Sequence, residues 1–227
     1  MAAGSLIEFK SNGAKTRGYL AVPDQPSGAG VIVIQEWWGL VDHIMRVADR
    51  FAQAGYVALA PDLYHGAAAK SPDEAGKLMM ALNIAETEKG LRGAVDFLLG
   101  HAATRGDKLG VVGFCMGGQL ALFAASKNSK IGACVDFYGI HPQVKPDFDR
   151  LRAPVLGLFA EKDAFVSPAV ARELESTLKR HGVKAEIHVY PGVDHAFFND
   201  QRPEVYNLPA ATDAWDRVMK FFGENLA

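Results

Sequence analysis

The sequence predicts an α/β fold, a mostly parallel, doubly wound sheet with helices on both faces. Three observations carry this expectation. Short apolar runs such as Val31-Ile32-Val33-Ile34 recur along the chain, as strands covered on both faces require. Stretches with apolar residues at helical spacing separate them. And Gly113-Phe114-Cys115-Met116-Gly117-Gly118 stands between an apolar run, Leu109-Gly110-Val111-Val112, and a helical one, Gln119-Leu120-Ala121-Leu122-Phe123, so that a strand must turn sharply into a helix. With 227 residues, 49% of them apolar, one domain spanning 1–227 with a large core is expected.

In chain order, Leu6-Ile7-Glu8-Phe9 and Gly18-Tyr19-Leu20-Ala21-Val22 read as an opening hairpin around Asn12-Gly13. Residues 23–30 form a turn-rich connector into the 31–34 strand. Residues 41–54 place Ile44, Val47, Ala48 and Phe51 on one helical face, and Gly55 ends that helix. Tyr56-Val57-Ala58-Leu59-Ala60 is the next strand, and 73–99 is mostly helical with a break near Asn83. Three more strands and two helices follow the Gly-rich turn and its helix. Of these, 172–180 is amphipathic, with Ser167 before Pro168 as its N-cap. The closing helix, 210–222, sets Ala214, Trp215, Val218 and Phe222 on one face, where a Trp reads as core.

The composition excludes several classes. Twenty-four Lys and Arg against 26 Asp and Glu, interspersed, give a formal charge of −2 and no basic stripe, so nucleic-acid binding is not expected. Two cysteines are too few for a disulfide framework and suit a reducing cytosol. Cys134 lies in an apolar run, 131–137, and reads as core. Residues 1–10 lack a charged segment followed by an apolar stretch, and no run approaches membrane-spanning length. A cytoplasmic protein without a membrane partner is expected, either a monomer or a weak homodimer. No group of His, Cys and carboxylates has ligand spacing, so neither metal nor cofactor is expected.

The turn at Cys115 carries the chemistry. Its residue is strained and stands clear of the sheet, and its flanking glycines permit close backbone approach. The sulfur sits near a helix N-terminus, whose field favours a thiolate. A small buried Cys at a Gly-rich turn is the bland alternative. A nucleophile needs a base, and the base needs an orienting group. The apolar run Pro154-Val155-Leu156-Gly157-Leu158-Phe159 ends in Ala160-Glu161-Lys162-Asp163, a polar turn at the carboxyl end of a strand, where ligands gather in open sheets. Asp163 is placed there to orient an imidazole, with Glu161 as its nearby competitor. Ala185-Glu186-Ile187-His188-Val189-Tyr190 alternates like a strand and leads into Pro191-Gly192-Val193-Asp194-His195. His195 is the natural base, Asp194 reads as a turn residue and His188 as structural. Of the remaining histidines, His65 is the one placed to line a pocket. The chain order Cys115, Asp163, His195 is that of α/β-hydrolases, with Cys where Ser usually stands.

With those residues placed, nearly the whole chain resembles the dienelactone hydrolase family. The matching pieces are Gln35-Glu36-Trp37-Trp38-Gly39, Ala60-Pro61-Asp62-Leu63-Tyr64, the 113–118 turn, and Asp194-His195-Ala196-Phe197-Phe198-Asn199-Asp200. The resemblance implies an α/β-hydrolase fold. It also implies a carboxymethylenebutenolidase-like ester hydrolase, whose Cys-His-Asp triad opens enol-lactones such as dienelactone to maleylacetate in the breakdown of aromatic compounds. It gives Glu36 the role of holding the resting thiol and releasing it as thiolate when substrate binds. A carboxylate beside a thiol disfavours a second negative charge; capping a helix or pairing with a lysine is the structural alternative for Glu36. The oxyanion donors are expected to be the backbone N–H groups of Met116 and Trp37. Trp38, Tyr64, Phe198 and Arg202 are expected around the substrate. The chain is short for this fold, so a large lid domain is not expected.

One departure from the family pattern bears on the substrate. Characterised members grip the substrate carboxylate with arginines, one of them four residues after the histidine, where this chain has Asn199. Another lies after Asp62-Leu63-Tyr64, and 71–77 holds no arginine; Lys77 and Arg202 are the cations available instead. A less charged ester, lactone or thioester is therefore the alternative substrate, and a non-catalytic binding module on the same scaffold is the alternative class.

Overall fold

The chain opens with an antiparallel hairpin, β1 (Ser5–Ser11) and β2 (Ala14–Ala21), longer than its apolar pattern because the backbone ladder continues through Lys10 and Lys15. The computed structural model describes residues 4–11, 13–24 and 28–226. Asn12, expected at the hairpin turn, and 25–27 of the connector lie outside them. Next come β3 (Gly30–Ile34), α1 (Asp42–Gln53) and β4 (Val57–Pro61), followed by α2 (Pro72–Ala81) and α3 (Ile84–Gly100). The second half comprises β5 (Leu109–Phe114), α4 (Met116–Lys127), β6 (Ile131–Phe137), β7 (Val155–Ala160), α5 (Pro168–Arg180), β8 (Ala185–Tyr190) and α6 (Leu208–Asn225).

Four of the six helices in the described residues begin at a side-chain cap. Ser71, Asn83, Ser167 and Asn207 each accept a hydrogen bond from a backbone N–H of the first turn, and Pro stands inside the start of α2, α5 and α6. Asn83 thus makes the break between α2 and α3. Gly55, at φ 95°, takes the left-handed position after α1.

The eight strands form one sheet in the order β1-β2-β4-β3-β5-β6-β7-β8. β1 and β2 are antiparallel additions, and the strands from β4 to β8 run parallel. Helices α1 and α6 cover one face around Phe51, Phe114 and Phe222, whereas α3, α4 and α5 cover the other around Leu98, Leu120 and Phe159. This is the α/β-hydrolase architecture. Parallel pairing puts the carboxyl ends of β3, β5, β6, β7 and β8 along one edge, which collects the loops beginning at Gln35, Cys115, Tyr138, Glu161 and Pro191.

Glycines let α4 lie directly on the strand ends. A methyl group on Gly117 would stand 2.5 Å from the carbonyl oxygens of Ile34 and Gln35, and one on Gly113 would collide with the Gly117 backbone. Gly90, inside α3, has open space at the same position. Gly117→Ala is therefore expected to lower stability by about 1–3 kcal/mol through overpacking. Gly90→Ala should raise it by roughly 0.5–1 kcal/mol through helix propensity alone. Urea unfolding midpoints of the two variants should move in opposite directions.

Candidate active site

Cys115 stands between β5 and α4 at φ 54° and ψ −121°. Its backbone is clamped on both sides by the end of β6 and the residues just beyond it. The Cys115 N–H donates to the Phe137 carbonyl at 3.0 Å, and the Ile140 N–H donates to the Cys115 carbonyl at 3.1 Å. Four non-glycine residues among those described have positive φ: His65, Cys115, Tyr138 and Ala196. The last three meet here, since the Tyr138 ring lies 4.9 Å from that of His195, which Ala196 follows. Strained backbone concentrated at one cleft is a mark of function.

His195 and Asp163 come together from the loops after β8 and β7. The His195 Nδ1 lies 2.6 Å from Asp163 Oδ2, and the Asp163 side chain is fully buried. Its other oxygen accepts the Phe165 and Val166 N–H groups at 2.7 and 2.9 Å. Both carboxylate oxygens are thus committed and the imidazole is fixed in orientation. Burial opposes charge on His195, but hydrogen bonding and charge from Asp163 and Cys115 outweigh it and lift the imidazole to about 10. Glu161, the competing acid, instead accepts the Gly192 N–H at 2.7 Å and ties the two loops together. A thiol at a helix N-terminus beside an oriented imidazole can transfer protons and attack a carbonyl.

Glu36 follows β3 and is 2% exposed, yet it neither caps a helix nor meets a lysine. Its Oε2 accepts the side-chain amide of Asn199 at 2.8 Å, while Oε1 has no partner among the described residues. Tyr138 is fully buried beside it, and burial together with the charges of Glu36 and Cys115 keeps its phenol protonated far into alkali.

Comparison with known proteins agrees with this architecture. Residues 16–226 match the model of the dienelactone hydrolase family. The chain belongs to that family. A relative from Aquifex pyrophilus, "Protein usf", is 42% identical over 98% of this chain and 99% of its own. Another from Aquifex aeolicus, named "Putative carboxymethylenebutenolidase", is 36% identical over 96% of this chain and 97% of its own. The solved structure of a "Putative Dienelactone Hydrolase" from Klebsiella pneumoniae subsp. pneumoniae superposes with a TM-score of 0.89 at 29% identity, covering 98% of this chain and 99% of that one. These likenesses make the chain an ester- or lactone-hydrolase relative.

Within this dienelactone hydrolase family member, the residues expected around the substrate are placed unevenly. Met116 heads α4, and its side-chain sulfur accepts the Tyr64 hydroxyl at 3.2 Å. Burial and the nearby Cys115 push that phenol up. Trp37 and Trp38 are half-buried with ring centroids 5.4 Å apart. Phe198 does not face a pocket. It is buried in the core, packed against the stacked Phe114 and Phe137 rings, 5.4 and 4.8 Å away. Arg202 lies 5.8 Å over the Trp38 ring but is held by Glu204 at 2.8 Å, and Lys77 is paired with Asp73 at 2.6 Å on exposed α2. His65 lines a cavity of about 440 Å³ between the opening hairpin and α2–α3, together with Tyr64 and Leu82. Sequence reasoning missed Phe165, which is exposed and sets its ring 5.1 Å from His195 and 6.4 Å from Trp37. Its place two residues after Asp163 was the available signal.

The His195 pairing has a definite pH signature. Its folded value of about 10 exceeds the ordinary 6.5, so the stability it brings is fully present below pH 6.5 and lost as pH rises toward 10. His195→Gln is expected to cost on the order of a few kcal/mol at pH 6 and much less at pH 10. Thermal unfolding of both proteins across that range is the measurement, and Cys115→Ala should narrow the window.

Proposed function

We propose that this protein hydrolyses a carboxylic ester or enol-lactone through a covalent thioester on Cys115. The observation that carries the reading is the 2.6 Å pairing of His195 with buried Asp163, with the imidazole beside a strained elbow thiol. The Cys115 thiolate attacks the carbonyl carbon, forming a C–S bond. The oxyanion is stabilised by the Met116 and Trp37 N–H groups, whose positions at the head of α4 and after β3 bracket the elbow. As the C–O bond breaks, the His195 imidazolium gives its proton to the leaving oxygen. Water then adds to the thioester, His195 takes its proton, and sulfur leaves as thiolate. In an enol-lactone the leaving oxygen stays tethered to the acyl group and is stabilised as an enolate, which suits a thiol nucleophile. Glu36 restrains the resting thiol by its negative charge.

For the substrate, dienelactone is the family's type, and a less charged ester or lactone is the second reading. Two observations favour the second. Asn199, where family members carry an arginine, is neutral and spends its amide on Glu36, and the Arg202 guanidinium is bound to Glu204. The rim is aromatic, built from Trp37, Trp38 and the exposed Phe165. The expected partner is a small-molecule substrate in the cytoplasm, hydrolysed without metal or cofactor.

Turnover of cis- and trans-dienelactone beside p-nitrophenyl acetate tests this reading. Cys115→Ala is expected to abolish hydrolysis of whichever substrate is used while leaving the fold intact; retained turnover would remove Cys115 as nucleophile. The neutral ester should be preferred over the anionic lactone. Glu36→Ala should speed alkylation of Cys115 by iodoacetamide at pH 7 about tenfold, because removing a neighbouring negative charge favours the thiolate. An unchanged rate would dismiss the restraint.

A further inference from the structure

Asp136 is a fully buried carboxyl on β6 that the reaction above does not use. Neither of its oxygens has a hydrogen-bond partner among the described residues. It occupies a slot framed by glycine. In register, Gly113 of β5 and Gly157 of β7 flank it. Above it, a methyl group on either Gly118 or Gly139 would collide with its Oδ1. The carboxyl is thus wedged between the first turn of α4 and the 137–140 segment. That segment makes the two backbone hydrogen bonds that clamp Cys115, through the Phe137 carbonyl and the Ile140 N–H. The Gly139 N–H acts on the carboxyl without reaching the geometry of a full hydrogen bond.

We propose that Asp136 is a positioning residue for the elbow, its ionised carboxyl drawing the Gly139 N–H toward it and so holding the 137–140 segment that clamps the Cys115 backbone in its strained conformation. The inference rests on Cys115 being the nucleophile. Burial raises Asp136 to about 7, with the Gly139 N–H opposing, so this hold changes strength near neutral pH. The groups packed on it offer no competing charge. β5 and β7 present Gly113 and Gly157, and α4 presents Gly118 and Gln119. On β6 itself, Cys134 is the ionisable neighbour, its thiol pushed up first by burial and then by the Asp136 charge. On the loop beyond, Tyr138 faces Glu36, and His141 is bound to the Met79 carbonyl. His195, at about 10, titrates well away from Asp136.

The test compares Asp136→Asn with the parent protein in p-nitrophenyl acetate hydrolysis from pH 5.5 to 9, with Cys115→Ala as blank. In the parent, kcat should rise as pH passes through about 7. In Asp136→Asn that step should vanish and kcat should stay roughly 10- to 100-fold below the alkaline plateau, the effect of a misplaced reacting atom. KM should change little, which separates positioning of the nucleophile from loss of binding. A variant with the parent's kcat and the parent's pH step overturns the proposal. If Asp136→Asn does not fold, infrared titration of the buried carboxyl in the parent decides: its ionisation must coincide with the kcat step, and a mismatch overturns the proposal. Turnover persisting in Cys115→Ala would instead overturn the nucleophile assignment, so the two failures are distinguishable.

Discussion

The backbone clamp on Cys115 is the constraint on which the rest of the cleft depends. A residue at φ 54° and ψ −121° is unfavourable for any side chain with a Cβ. It persists because its N–H and carbonyl are held by the end of β6 and the residues just beyond it, and because Gly113, Gly117 and Gly118 let α4 settle onto the strand ends. Strain at one residue is thus balanced by the packing of a whole helix. The same arrangement sets the sulfur at the positive end of that helix.

Around this point the structure sorts carboxylates by what each can reach. Asp163 gives one oxygen to two backbone amides and the other to His195, and therefore sets the ring. Glu161, two residues earlier, braces the His195 loop through the Gly192 N–H. Glu36 is held by a neutral amide rather than a cation, so its charge is only partly compensated within the cleft. Asp136 lies beneath, with no amide fully committed to it. Four acids within one region thus occupy four electrostatic settings.

The rim tells a related story about charge. The two cations that could replace the missing arginines are bound to neighbouring carboxylates, Arg202 to Glu204 and Lys77 to Asp73. The Phe165 ring lies beside His195, and the Trp37 ring packs against Phe165. Flat apolar surface with few free charges recognises shape and apolar area more than charge.

The alternation of apolar runs and helical spacing determined the order of strands and helices, because burial on both faces leaves a strand no polar positions. The Ser167 cap and the break near Asn83 followed from local chemistry, whereas the Ser71 and Asn207 caps were found only in the structure. The elbow and the order Cys115, Asp163, His195 were legible for the same reason, since each lies just beyond an apolar strand. What the sequence left open was settled by distances between loops far apart in the chain. Glu161 and Asp163 differ in role because the loop after β8 brings Gly192 to one and His195 to the other. Phe198 belongs to the core because Phe114 and Phe137 meet beneath it. The partner of Glu36 lies 163 residues away, and the slot that holds Asp136 is made by glycines from two strands, a helix and a loop. Such contacts depend on register and tertiary packing, which no local pattern encodes.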